Sequence, residues 1–516
     1  MNMIKNAAGR MVPARINGQD VVPYQGVGQF KPTGRITGRP LRSCVDFPAD
    51  GNKIVPDIKT ALLRCGLQDG QTISTHHHFR DGDLVANMVF TSCVDLGVKN
   101  IRWFPSAVFP CHAPLIEHLD SGLIHHIEGS MNGPLGDYCS SGRMRGTAVL
   151  RSHGGRWQAL QDGEVHVDIA VIAAPSADMF GNCNGSIGPS ACGPLGYAEA
   201  DAQFADKVIV VTDNLVPFPC YPWHIQGQLV DFVVVVDKIG VPEKIVSGTT
   251  RITKSPDRLR IADLIAQFAS AAGIIRDGFS FQTGAGGISL AFSKSLEDIM
   301  RRKNIKASFY LGGSNQLAVN MLEEGLIEKI IDIQAFDLQA VRSTRENVNH
   351  IACGPFTTYN YHGKGNFNSL TDIVVLGATQ VDVDFNANVV THSDGRLLHG
   401  IGGWQNCLFA GCTVLAVPSF RDRIPVIVDR VTTLTGPSEL IDVVVTERGI
   451  CINPRRTDLI AKTKDSGLPI IDIKELQKKV EELCGGPPDA PRLGEKVVAV
   501  VKWVDGTVLD SIYQVL

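Results

Sequence analysis

The run Phe281-Gln282-Thr283-Gly284-Ala285-Gly286-Gly287-Ile288-Ser289 sets three glycines at the opening of a stretch patterned as a helix. A glycine-rich turn at a helix start points several bare backbone N–H groups at one place, where they can hold an anion or a developing oxyanion. Gly284, Gly286 and Gly287 are therefore candidate catalytic donors. Ser289 stands where a third glycine would complete the dinucleotide fingerprint, so that fingerprint is absent, and a plain packing turn is the competing reading. A second pair, Gly402 and Gly403, lies in His399-Gly400-Ile401-Gly402-Gly403-Trp404-Gln405-Asn406. It falls between an expected strand and a helix-like Cys407 to Cys412, and the same two readings apply.

The third cluster is His76-His77-His78-Phe79-Arg80-Asp81-Gly82-Asp83. Alternation along an extended segment puts His76 and His78 on one face and His77 on the other. One reading buries these histidines against backbone; the other gives His76, His77 and Arg80 to a carboxylate-rich substrate, with the guanidinium fork gripping a carboxylate. No Asp or Glu stands at a metal-ligand spacing from them, so no metal is expected. Arg421, Arg423 and Arg430 lie close behind the second glycine pair and have two readings, holding phosphates or carboxylates or, more commonly for arginine, a surface place. The chain has no G-x-S-x-G elbow, no P-loop and no cysteine-protease signature. Backbone donors joined to His and Arg are equipment for acyl transfer, which must stabilise an oxyanion beside a bound carboxylate.

Positioning these groups requires strands that end in loops. Thr72 to Thr75 reads as a strand running into the histidines, followed by a helix from Leu84 to Leu96 capped at Gly97. Ala307 to Leu311 leads through Gly312-Gly313-Ser314-Asn315 into a helix from Leu317 to Glu324, closed by Gly325. Further apolar, β-branched runs at Val167–Ile172, Val208–Val211, Val230–Val236, Ile373–Leu376 and Val443–Val445 fit parallel strands covered on both faces. Asp178-Met179-Phe180-Gly181-Asn182 and Asp382-Val383-Asp384-Phe385-Asn386 repeat a D-x-F-x-N theme after a strand, which predicts two related α/β halves joined between Pro242 and Pro256. Residues 1 to about 50 read as an irregular arm, Asp472 to Cys484 as an amphipathic helix, and the end as a hairpin turning at Asp505-Gly506.

The 516 residues hold 49 basic and 53 acidic side chains, a balance that argues against nucleic-acid and membrane-surface binding. Thirteen scattered cysteines without C-x-x-C spacing read as reduced thiols. With no signal-peptide pattern and no membrane-length apolar run, a cytoplasmic location is expected.

The combination G-L-x-D-G-x-T-I-S-x-H-H-x-F-R-x-G-D from Gly66 to Asp83 resembles the alpha subunit of citrate lyase. So do Cys111 to His118, Ser152 to Arg156, Asp178 to Gly185, Gly278 to Leu290, Asp382 to Ser393 and Asp422 to Asp429. The resemblance runs from about residue 50 to the C-terminus and implies two related coenzyme A transferase-like α/β domains with largely parallel sheets. The expected division is an arm over 1–50, a first domain over 51–245 and a second over 246–516. The implied activity is acetyl-carrier thioester plus citrate giving citryl-carrier thioester plus acetate, with coenzyme A thioesters also accepted. Asn386 and Asn388, in the Asp382–Ser393 stretch, count as further substrate-binding residues on this resemblance. The implied partners are the beta (lyase) subunit, the gamma subunit with its phosphoribosyl-dephospho-coenzyme A arm, and further copies of the chain. No covalently bound cofactor is expected; acetyl-coenzyme A or the carrier arm serves as thioester substrate.

Two departures matter. Many coenzyme A transferases use a glutamate nucleophile, whose place falls here at Gly312, so direct transfer without a glutamyl-enzyme is expected. Members of the resembled family commonly show Gly-Gly-His-x-Asp where this chain has Gly402-Gly403-Trp404-Gln405-Asn406, which leaves citrate, citramalate and malonate open as the acid. A non-catalytic carrier-binding scaffold is the alternative of a different class.

Overall fold

Strand-length apolar runs separated by amphipathic helices assemble into two sheets in a computed structural model that describes residues 2–31, 48–246, 252–284 and 286–516. The first sheet holds β1 (Ile54–Val55), β2 (Thr72–Thr75), β3 (Ile101–Pro105), β4 (Ile124–Ile127), β5 (Ile169–Ala173), β6 (Lys207–Thr212) and β7 (Phe232–Val235). Their spatial order is β1-β7-β6-β5-β2-β3-β4, with every neighbouring pair parallel. The second sheet holds β8 (Ser280–Thr283), β9 (Ala307–Ser314), β10 (Ile327–Ala335), β11 (His350–Ala352), β12 (Ile373–Leu376), β13 (Thr413–Ala416), β14 (Val443–Thr446) and β15 (Gly449–Ile452). Its order is β11-β10-β9-β8-β12-β13-β14-β15, parallel except for the final β14–β15 pair.

Helices cover these sheets and end where the sequence supplies caps. Helix α1 (Ile58–Cys65) begins at Asp57, whose side chain accepts the Thr60 N–H, and both α1 and α2 (Val85–Leu96) stop at a left-handed glycine, Gly66 and Gly97. Helix α3 (His153–Gln161) starts from Ser152, whose hydroxyl accepts the Gly155 N–H. Helix α4 (Pro256–Ala271) packs on α5 (Gly287–Lys303), and α6 (Gln316–Glu323) follows β9. Each cap satisfies N–H or C=O groups that the helix itself leaves open.

The halves repeat one plan. In each, three strands build outward on one side (β2-β3-β4; β8-β9-β10) and three on the other (β5-β6-β7; β12-β13-β14). After β5, Ser176–Ala177 pairs with Cys183–Asn184; after β12, Gln380–Asp382 pairs with Ala387–Asn388. Asp178 gathers the N–H groups of Phe180, Gly181 and Asn182 on one carboxylate oxygen and the Asn182 amide on the other. Asp382 does the same with Asp384, Asn386 and the Asn386 amide. The D-x-F-x-N repeat is therefore a turn device, in which a carboxylate replaces the missing backbone acceptors of a tight loop.

Two expectations change and one is extended. Residues 2–31, read as irregular, form two short antiparallel pairs and clamp the chain's end: Val508 N–H donates to Val22 and Tyr24 N–H to Val508. Strands of two or three residues carry no readable period. The C-terminal hairpin forms as expected, Leu493–Lys502 with Val508–Val515, and it also pairs in parallel with Ala148–Leu150 of the first half. No regular strand precedes Gly402, which makes a single bridge to Ser152, and the helix there is α7 (Trp404–Cys407) rather than 407–412. The expected junction between Pro242 and Pro256 falls partly on 247–251, outside the described residues. Helix α8 (Ile473–Cys484) sits where expected, N-capped by Asp472. No helix among the described residues is long and apolar enough to cross a membrane.

Candidate functional site

Each half reverses its strand order once, between β5 and β2 in the first and between β12 and β8 in the second. The carboxyl ends of strands at such a reversal leave a crevice where α/β proteins take ligands. The loop leaving β2 begins at His76 and the loop leaving β8 begins at Gly284, so the two sequence clusters occupy equivalent places in the two halves.

A closed circuit of contacts joins them. The Arg80 guanidinium lies over Phe109, 5.5 Å from its centroid, and over Phe336, 5.0 Å away. Phe109 stacks on His77 at 6.0 Å, and His77 on His153 at 5.3 Å. The backbone N–H of His153 donates to Gly402 at 2.9 Å. The next residue, Gly403, passes so close to Tyr359 that an added Cβ would sit 3.0 Å from the phenol oxygen. Tyr359 accepts the Gln282 amide at 3.1 Å, and Gln282 also accepts the Cys407 thiol at 2.9 Å. Gly312 abuts Gln282, Gly313 abuts Phe336, and Phe336 returns to Arg80. Gln334 ties the halves again, donating to the His77 carbonyl at 3.2 Å and accepting from Tyr197 at 3.3 Å.

The electrostatics separate a neutral floor from a lone cation. Burial drives His77 and His78 well below the ordinary histidine range, and burial with the nearby Arg156 pulls His153 down to about 3. Burial pushes the Cys407 thiol up to about 12, so it is no thiolate nucleophile at neutral pH. His76 is part of the framework, with Nδ1 3.2 Å from the Val171 carbonyl and Nε2 3.1 Å from Asp201, whose carboxylate is gripped by Arg156. Arg80 differs from these. It is half-buried, its φ is 53°, its Nε has no hydrogen-bond partner, and no carboxylate among the described residues pairs with it.

The remaining candidates divide. Gly402, at φ 61°, and Gly403 are partly exposed beside His153 and Tyr359, within the circuit. Gly286 and Gly287 open α5, where first-turn N–H groups lack helical acceptors, and nothing lies within 4 Å of an added Gly286 Cβ. Gly284 is not a free donor, because its N–H is committed to the Val375 carbonyl at 3.0 Å. Asn386 and Asn388 are turned into their own hairpin: Asn386 bonds Asp382 and Ser438, and Asn388, fully buried, bonds Gln380, Val390 and Thr391. Their amides hold the turn rather than face a ligand. One group spaced for a cation, His166, Asp168 and Asp206, lies at the amino ends of β5 and β6, opposite the circuit.

Comparison with known proteins places this geometry. The family model described as citrate lyase, alpha subunit (CitF), matches residues 51–515. The chain is 40% identical over 505 residues to the citrate lyase alpha chain of Klebsiella pneumoniae, covering 97% of this chain and 98% of that one. This chain belongs to the citrate lyase alpha subunit family. The citrate lyase alpha chain of Escherichia coli K12 is 40% identical over 469 residues, covering 90% of this chain and 92% of that one. A solved alpha subunit of citrate lyase from Streptococcus mutans, in complex with citrate, superposes with a TM-score of 0.94 at 39% identity, covering 99% of this chain and all of that one. A Pseudomonas malonate decarboxylase hetero-tetramer contains a chain of similar fold, with a TM-score of 0.59 at 18% identity, over 85% of this chain and 94% of that one.

In this citrate lyase alpha subunit relative, the two departures at the glycine pair have different consequences. Asn406, where the resemblance led to the expectation of an Asp, accepts the Gly154 N–H at 3.0 Å and holds the start of α3 against the bend. Trp404, where the resemblance led to the expectation of a His, turns away: its indole N–H donates to Gly377 at 2.8 Å and its ring packs on Gly436. Phe109, His153, Tyr197, Gln334, Phe336 and Tyr359 are circuit residues that the sequence did not single out for chemistry. Their places depend on contacts between halves hundreds of residues apart, and only His153, inside the resembling Ser152–Arg156 stretch, carried a local signal.

Proposed function

We propose that this chain exchanges acetyl for citryl on the thioester of the carrier subunit, and accepts acetyl-coenzyme A as a stand-in donor. One carboxylate oxygen of citrate attacks the thioester carbonyl; the tetrahedral oxyanion collapses, the C–S bond breaks, and a thiolate and an acetyl–citryl anhydride result. The thiolate then attacks the citryl carbonyl, the anhydride C–O bond breaks, and acetate leaves. Each step builds negative charge on a carbonyl oxygen, and the Gly402–Gly403 bend and the Gly286–Gly287 helix start are the backbone donors proposed to meet it. The observation that carries the reading is Arg80. A half-buried guanidinium whose Nε is buried without a partner and which no carboxylate among the described residues pairs is costly, and an incoming carboxylate supplies the missing charge between Phe109 and Phe336.

No glutamyl-enzyme is invoked, because the place of the glutamate is Gly312. Its φ of 125° suits glycine, and an added Cβ would sit 2.6 Å from the Gln282 amide nitrogen. The proposed partners are the lyase and acyl-carrier subunits of citrate lyase and further copies of this chain, with the carrier's nucleotide-derived arm as thioester substrate. Trp404 in place of a histidine makes the acid itself the quantity to measure. The test is acetate release from acetyl-coenzyme A with citrate, citramalate or malonate, for the wild type and Arg80→Ala. Citrate turnover is expected, with Arg80→Ala raising the KM for the acid about 10–100-fold and leaving that for the thioester nearly unchanged. Release with none of the three acids favours the scaffold alternative, and equal loss for both substrates removes Arg80 from the acid subsite.

A further inference from the structure

His153 is placed as few histidines are. It is the first residue of α3, its backbone N–H is committed to the Gly402 carbonyl, and its ring lies 5.3 Å from that of His77 and 4.2 Å from that of Tyr197. A Cβ built on Gly402 would come within 3.8 Å of its Nε2, so the ring edge overlooks the bend where a bound group would meet the Gly402 and Gly403 amides. Gly402 is partly exposed, and its left-handed φ together with that imidazole keeps the approach free of a side chain. No group among the described residues hydrogen-bonds the His153 ring nitrogens. Its surroundings (burial, Arg156 one helical turn on, and the positive start of α3) all oppose a second ring proton. The ring is thus a neutral imidazole, which offers one N–H and takes no charge when the bend is empty.

We propose that His153 is a catalytic residue, its ring N–H donating a hydrogen bond to the carbonyl oxygen of the acyl group held at the Gly402–Gly403 bend. The inference rests on the transfer reading above. The side-chain donor adds to the backbone donors at the point where charge develops, and its neutrality lets it strengthen as the oxyanion forms without a competing buried charge. His77 stacks on the ring, Tyr197 packs against it at a tilt of 38°, and the Gly402 bond fixes the helix start from which the ring projects.

The test compares His153→Phe, which keeps the stack and removes the donor, with His153→Gln, which keeps a donor, in the full-length chain. His153→Phe is expected to lower kcat about 10²–10³-fold with KM for the acid within about threefold and an unchanged melting temperature. His153→Gln is expected to recover kcat to within about tenfold of the wild type. Wild-type kcat in His153→Phe overturns the inference, and so does equal loss in both variants with lowered melting temperatures, which marks the ring as packing only. If the wild type turns over no acid, the transfer reading fails separately, and the inference is then read from the 15N signal of the His153 ring. A shift on adding acetyl-coenzyme A supports it, and an unmoved signal overturns it.

Discussion

At the scale of single residues, the histidines and arginine after β2 look alike in sequence and differ in the fold. His76 bridges Val171 and Asp201 as framework, His77 bonds Ser106 and carries the ring stack, His78 is buried with neither ring nitrogen bonded, and Arg80 lies over two aromatic rings with its Nε unbonded and no carboxylate paired to it. The sequence marked the cluster, because three histidines at the end of a strand are rare. It could not divide the roles, since those depend on Asp201, Ser106 and Phe336 arriving from elsewhere. Asn386 and Asn388 show the converse: polar residues near a candidate site whose amides are taken up by their own turn and, for Asn386, by the Ser438 N–H. The buried histidines also predict an acid limit. The unfolded chain takes up protons on histidine near pH 6.5, whereas folded His153 does so only near 3, and His77 and His78 well below the ordinary value. The unfolded state therefore binds more protons in that window, so stability is greatest above about pH 6.5 and falls as pH drops toward 3. The slope approaches about 1.4 kcal/mol per pH unit for each such histidine. Thermal melts between pH 7.5 and 4.5 check this, and a melting temperature flat across that range contradicts neutral burial.

At the scale of elements, the strands and helices were readable because long β-branched runs and capped amphipathic helices carry strong local patterns; β12 and α8 fall within a residue of their expected bounds. The short pairs within residues 2–31 and the destination of the C-terminal hairpin were not, because they are fixed by contacts across the whole chain. The bulge between Gly312 and Gly313 at the end of β9 is the element on which the direct-transfer reading depends most. A side chain there must adopt a left-handed backbone and displace Gln282, which bonds both Tyr359 and Cys407. Gly312→Glu is therefore expected to cost about 1–3 kcal/mol in unfolding free energy and to give no acyl-enzyme trapped by borohydride in the presence of acetyl-coenzyme A. A stable variant carrying a reduced glutamyl adduct would show that the nucleophile's place is open after all.

At the scale of the molecule, one strand plan used twice gives each half a switch point, and the proposed function assigns acid recognition to the first half and glycine donors to the second. Neither half holds the full set, and the C-terminal hairpin, paired with Ala148–Leu150 just before α3, binds the end of the chain to the half that carries His153. The central claim is that the acid attacks the acyl group itself, with no enzyme carboxylate between them. The measurement that reads this is the fate of oxygen-18 in a single turnover of acetyl-coenzyme A with citrate labelled in its carboxylates. Direct exchange leaves one labelled oxygen in each acetate released, carried over as the bridging oxygen of the anhydride. Unlabelled acetate, with the missing label recovered in a protein carboxylate, would contradict the account.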